Sequence, residues 1–320
     1  MDARITKQRL SNLISYDWIK ILCTVAAALL VLSLLFAVTA TRPLSSQQYN
    51  IFVFTDLSVD TSFSQLADEL EEDDVFSYDI LTVGTEAFTG TTGNTTYGLR
   101  RSVGTGNVLF VTDNPVYEQD EAGNPVLDEE GDPVIETQST LYSLAMGITV
   151  ANDEANAGGV YDTVYYMDAC ERYLAEFFGD DWRSSDAFDG SRSPEESFYA
   201  RNGSDKRYRT EQSRAQGVED EKARLLQLRE DYLAVDAAFD EGLFTHTSYE
   251  NDWGEASNLG INVGGLHGLK NLVYYTDGEN SRTTENINLV LLFNGKDAQN
   301  DLRFESISFL NYLLENYREE

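Results

Sequence analysis

The chain is 320 residues long and carries 23 Lys and Arg against 55 Asp and Glu, a formal net charge of −32. So acidic a surface repels phosphate backbones and anionic headgroups, which argues against nucleic acid as a partner. Two cysteines and two histidines argue against a disulfide framework and against most zinc sites, and no cofactor fingerprint is present.

Residues 1–20 form a polar arm, and residues 21–40, ILCTVAAALLVLSLLFAVTA, contain no charge, Gly or Pro. Twenty helical residues rise about 30 Å, the thickness of a hydrocarbon core, so the segment is read as a single transmembrane helix in contact with the lipid bilayer. Trp18 and Tyr16 stand at its entry edge, where amphipathic rings favour the headgroup level. Arg4, Lys7, Arg9 and Lys20 precede it and only Arg42 follows closely. The positive-inside rule then puts the N-terminus in the cytoplasm and the rest on the extracytoplasmic side of a cell membrane. Val38-Thr39-Ala40 offers the small residues of a signal-peptidase site, but the apolar run exceeds the usual h-region of about 7–15 residues. A retained anchor is the reading adopted.

A tether, residues 41–48, leads to residues 49–320, a length sufficient for one large domain or for two lobes. Tyr49 to Thr55 (YNIFVFT) has the β-branched and aromatic character of a buried strand. Ser62 to Glu71 reads as a helix with Phe63, Leu66 and Leu70 on one face and Ser62 as its N-cap. Phe76 to Val83 reads as a strand, Gly84 to Gly106 as a loop with a short hairpin around Thr95 to Leu99, and Asn107 to Thr112 as the clearest strand of the first half. This order indicates an α/β fold with a mixed, partly parallel sheet.

An eight-residue echo follows, Gly123-Asn124-Pro125-Val126 and Gly131-Asp132-Pro133-Val134, each copy preceded by acidic residues. It reads as two turns in an exposed excursion, since the carboxylates lack the offsets of a calcium-binding EF-hand loop. Leu141 to Met146 and Tyr161 to Phe178 read as helices, the second with Val164, Met167, Cys170, Leu174 and Phe177 at helical spacing. Residues 179–217 are polar and read as a loop or loosely packed, flexible segment. Glu219 to Phe239 is a long helix with Leu225, Leu228, Tyr232, Val235 and Phe239 in a seam, ended by Gly242. Leu272 to Thr276 and Ile287 to Phe293 are late strands, the second apolar on both faces and therefore central. Asp301 to Tyr317 closes as an amphipathic helix with Phe304, Ile307, Leu310, Leu314 and Tyr317 inward.

No Gly-x-Ser-x-Gly elbow, Ser-x-x-Lys or His-Glu-x-x-His occurs, and His246 and His267 read as surface or structural residues. Binding is therefore favoured over catalysis. If the strands ending at Thr55 and Thr112 are parallel, ligands belong beyond their C-terminal ends. There, Thr55, Asp56, Thr112, Asp113 and Asn114 would orient a polar solute, with Trp253, near Tyr249 and His246, as a stacking wall.

Three stretches carry a family resemblance. NIFVFT directly follows the export segment, NVLFVTDN looks like a strand running to a cleft, and INLVLLFNGKDAQNDLRFESISFLNYLLENY looks like a late strand, Lys-containing turn and helix. In these the chain resembles the type II extracytoplasmic solute-binding proteins of bacterial importers, although it lacks their lipobox cysteine. The resemblance implies a tethered module for a small polar solute, acting with a membrane partner such as a transporter. The first alternative is an assembly subunit of a cell-envelope complex, docking through the Glu219–Phe239 helix or the acidic excursion. A third, less favoured reading is a hydrolase with a carboxylate or Ser–His site.

Overall fold

The computed structural model describes residues 7–39, 43–147, 150–151, 159–203, 205–250, 256–276, 280–294 and 301–318. It divides into two compact units, Met1–Leu44 and Ser45–Glu320.

The first unit is one helix, α1 (Lys7–Thr39). Its stretch Trp18–Leu35 has a mean hydropathy of 2.3, none of it is buried by protein, and it is long and apolar enough to cross a membrane. Its polar Thr24 donates its hydroxyl to the Lys20 carbonyl at 2.8 Å, which satisfies the group within the helix.

The second unit is built on a 6-stranded mixed sheet. Its strands are β1 (Gln48–Val53), β2 (Thr82–Ala87), β3 (Val108–Thr112), β4 (Thr245–Glu250), β5 (Ala256–Asn262) and β6 (Ile287–Leu291). Across the sheet they run β2-β1-β3-β6-β5-β4, with β2, β1 and β3 parallel and the remaining pairings antiparallel. All residues of β3 and β6 are buried, the state their unbroken apolar runs require, and β6 is central as its sequence indicates.

Strand alternation divides the core in two. Ile51, Val53, Phe110, Ile261 and Leu289 face one layer, and Phe52, Phe54, Leu109, Val111, Leu259 and Val290 face the other. The larger layer holds α2 (Leu66–Glu72), whose Leu66 and Leu70 are buried, and the smaller holds α3 (Gly93–Ser102) and α4 (Thr140–Gly147) through Tyr97 and Leu141. Also in the larger layer are α5 (Thr163–Phe178), α7 (Glu211–Asp240) and α8 (Glu305–Tyr317), with α6 (Pro194–Asn202) packed on α7. Gly217 permits that last approach, because a Cβ there would stand 2.3 Å from the Phe198 ring.

Several elements differ from their sequence reading, each for a physical reason. Asp60, rather than Ser62, caps the first helical turn, and Ser62 instead donates its hydroxyl to the Asn271 carbonyl. Phe76 to Leu81 is a loop and β2 begins only at Thr82, because Ser77 and Asp79 are drawn inward to buried charges. The segment read as loop and hairpin around Thr95 to Leu99 is α3, whose two glycines hide a helix held by Tyr97 against Phe54 and Phe88. The polar stretch 179–217 contains α6, started by a capping box of Ser193 and Glu196 with Pro194 in the first turn, and a 3-10 turn at Lys206–Tyr208. In α5, Val164 is 37% exposed, and the inward face is Tyr166, Met167, Cys170, Tyr173, Leu174 and Phe177. α7 starts eight residues earlier than Glu219, at Glu211, and Gly242 follows it with φ +75° as its sequence suggests.

The eight-residue echo is two copies of one turn. Asp120 accepts the amides of Ala122 and Asn124 at 2.8 and 2.9 Å, and Asp128 accepts those of Glu130 and Asp132, both at 2.9 Å. Those amides hold both exposed carboxyls below the usual range. Glu118, Val126 and Val134 close a ring of backbone hydrogen bonds, each 2.8 Å.

Candidate functional site

Parallel pairing of β1 with β3 brings the predicted strand-end residues together. Asp56 Oδ2 accepts from the Thr112 amide at 2.9 Å and from Thr112 Oγ1 at 2.7 Å. Thr55 Oγ1 donates to Asn94 Oδ1 at 3.3 Å, tying β1 to α3. Asp113 accepts the Tyr249 hydroxyl, which also lies 3.2 Å from Ser139 Oγ, and Asn114 Oδ1 accepts Asn286 Nδ2 at 3.0 Å. The polar groups at this end of the sheet are thus largely engaged with one another and with flanking loops. Asp56 Oδ1 differs, being buried without a hydrogen bond among the described residues.

Trp253 lies outside the described residues. His246 and Tyr249 do not share a wall. They are three residues apart on β4, so their side chains leave opposite faces. Tyr249 packs edge-on to Tyr142 at 5.3 Å, whereas His246 stacks on Phe239 at 4.4 Å with Nδ1 2.8 Å from Thr163 Oγ1. Burial pulls the His246 imidazole below its usual range against the opposing pull of Asp162 and Asp168, which favours a neutral, structural ring. His267 is exposed in a 3-10 turn whose Gly268 packs on the end of α8, where a Cβ would meet the Tyr317 carbonyl at 2.6 Å.

The second locus was hidden in the polar segments. Glu221 of α7 is fully buried and accepts from Ser197 Oγ at 2.7 Å, Tyr78 hydroxyl at 3.1 Å, Arg224 Nε at 3.0 Å and Arg201. Asp79, also buried, accepts from Arg207 Nη2 at 2.9 Å and Asn202 Nδ2 at 3.2 Å. Glu305, at the start of α8, accepts the Ser77 amide at 2.9 Å and lies 3.7 Å from Arg224 Nη1. Burial pushes the Glu221 carboxyl up, but Arg224 and Arg201 outweigh it and hold its pKa at about 2. Burial dominates at Glu305, whose carboxyl is raised despite Arg224. The cluster joins the 77–79 loop to α6, α7 and α8.

Beside this cluster opens a cleft of about 510 Å³ between the segment 70–83 and the first half of α7. Leu70, Phe76, Ile80, Leu81, Val83 and Ala223 supply apolar lining, and Ser77, Tyr78, Arg224 and Gln227 supply polar groups. Glu71, Asp74 and Asp220 add carboxylates, the first two exposed. Asp74 has φ 50°, a left-handed backbone that turns the chain out of α2 along the cleft. Glu71 Oε1 is fixed by the Val83 amide at 2.9 Å.

Cys170 is fully buried in α5, and burial drives its thiol well up. A maleimide is therefore expected to leave Cys170 unlabelled in a folded Cys23→Ser chain and to label it in denaturant, as read by intact mass. Labelling under native conditions would contradict this packing.

Comparison of the chain with protein-family models, with curated proteins and with solved structures found no match.

Proposed function

We propose that the chain is a membrane-tethered binding module that takes a small solute into the cleft between residues 70–83 and α7. The cleft itself carries this reading. Its size falls within the range of about 300–1,000 Å³ usual for small-molecule sites, and apolar walls surround a few fixed polar groups. The buried Arg–Glu cluster behind it supplies a rigid wall. By contrast, the polar groups of Thr55, Thr112, Asp113 and Asn114 have protein partners, which supports a role in holding loops in place.

In this reading α1 is a retained anchor. The basic residues Arg4, Lys7, Arg9 and Lys20 favour a cytoplasmic N-terminus and an extracytoplasmic domain. A module so tethered could deliver solute to a transporter, as its resemblance to importer binding proteins suggests. The test is a thermal-shift screen of the full chain in detergent against a metabolite library. A ligand is expected to raise Tm by linkage, and Ala223→Trp, which fills the cleft from its exposed rim, is expected to abolish that shift while leaving the unliganded Tm unchanged. A shift that survives Ala223→Trp, or a library with no hit, would overturn the reading.

A second reading has its own observation. In the excursion Val116, Leu127 and Ile135 are 53%, 57% and 42% exposed among carboxylates, which suits docking on a protein of a membrane complex. The seam of α7 is less suited, since Leu225, Leu228, Tyr232 and Val235 are buried within the domain.

A further inference from the structure

We infer that the ligand of the cleft is a small organic cation: an amine on an apolar body. This rests on the cleft being a binding site. Three features of its lining carry the inference.

The carboxylates Glu71, Asp74 and Asp220 line the cleft, Glu71 and Asp74 at exposed positions. Glu71 is held by the Val83 amide and Asp220 by Gln216 Nε2 at 2.8 Å. An anionic ligand would meet repulsion from these carboxylates, whereas an ammonium would find charge complementarity.

Arg224 does not offset that field. Its charge faces Glu221 at 3.0 Å and Glu305 at 3.7 Å, and the cluster behind it sets Arg201 and Arg207 against Asp79 and Asp205. A ligand carboxylate would have to compete with these acids. Arg224 and Ser77 are 4% and 6% exposed, and both serve Glu305. Between mouth and floor, Phe76, Ile80, Leu81 and Val83 are partly exposed apolar groups that an alkyl or aromatic body would cover.

The experiment is calorimetric titration of the full chain in detergent at low salt with three probes of one skeleton: tyramine, tyrosol and 3-(4-hydroxyphenyl)propionate, as cation, neutral and anion. A straight series from butylamine to hexylamine extends the cation arm. Tyramine is expected to bind about tenfold more tightly than tyrosol, roughly what several exposed ion pairs contribute together, and to weaken as salt screens the mouth. The anion is expected not to bind. The triple variant Glu71→Gln, Asp74→Asn, Asp220→Asn keeps the cleft's shape and the acceptor for Val83, and should bring tyramine to the affinity of tyrosol. Ala223→Trp should abolish binding of both.

Equal or tighter binding of the neutral or anionic probe, lost in Ala223→Trp, overturns the cation assignment and leaves the cleft standing. Failure of every amine overturns the assignment, and it overturns the cleft as well if the metabolite screen also yields no ligand that Ala223→Trp removes.

Discussion

Glu221→Gln is expected to lower the stability of the folded chain by about 3–5 kcal/mol, because it strips the nearest counter-charge from two buried guanidiniums. Arg201 and Arg224 are each 4% exposed or less at the side chain, and Glu221 meets both. The change is nearly isosteric, so the loss reflects charge and hydrogen bonding rather than a cavity. For a domain of this size it corresponds to roughly 10 °C in Tm. The control is Arg100→Ala, which breaks a 2.8 Å pair with Glu86 whose side chains are 50% and 31% exposed. Such a pair contributes at most about 1 kcal/mol. Equal effects from the two substitutions would mean that water reaches the cluster. The acid limb gives an independent check. A carboxyl held at about 2 in the fold contributes stability that is fully present above its unfolded value of 4.5 and is lost as the pH falls towards 2. The Gln variant should lack that part of the acid transition.

Asp231→Asn is expected to act in the opposite direction, stabilising the protein at neutral pH. Asp231 lies between α7 and α8, 7% exposed, where burial outweighs the hydrogen bonds from Ser308 and Asn311 and raises its pKa from 3.8 to about 6. Glu305 and Glu315 push the same way. A carboxyl with a raised folded pKa binds its proton more tightly in the native state. Its penalty is absent below about pH 4, grows as the pH rises through about 6, and is constant above that. The penalty at pH 7 is on the order of 2–3 kcal/mol. An amide at 231 avoids it and keeps an acceptor for Asn311 Nδ2. Denaturant melts of both proteins at pH 4 and pH 7.5 should show the gain at the higher pH only. A uniform gain, or a loss at pH 7.5, would contradict an ionised, buried Asp231.

The legible parts of this fold were those whose residues act locally. β1, β3 and β6 were visible as short apolar runs, α7 and α8 as stripes three and four residues apart, and the two turns of the excursion as the repeat Gly-Asn-Pro-Val and Gly-Asp-Pro-Val. The elements missed depend on distant partners. β4 (THTSYE) is a half-exposed edge strand and β5 (ASNLGIN) packs Gly260 against Asn288, whose Oδ1 would stand 2.8 Å from a Cβ there. Neither has the apolar alternation that announces a strand. The segment 179–217 read as a loop because Asp79 and Glu221, the counter-charges of its Arg201, lie outside it in sequence. The cleft was invisible for the same reason: its walls are about 140 residues apart along the chain, as Tyr78 and Glu221 are at 143. The strand-end residues, found from topology alone, do meet, but most of their hydrogen bonds are already filled.

Hydrogen exchange of the full chain, with and without a saturating ligand from the metabolite screen, tests the location of binding most directly. Slowed exchange at residues 73–83 and 220–227 is the predicted result. Protection confined to Thr55–Asp56 and Thr112–Asn114, with the cleft segments unchanged, would contradict it.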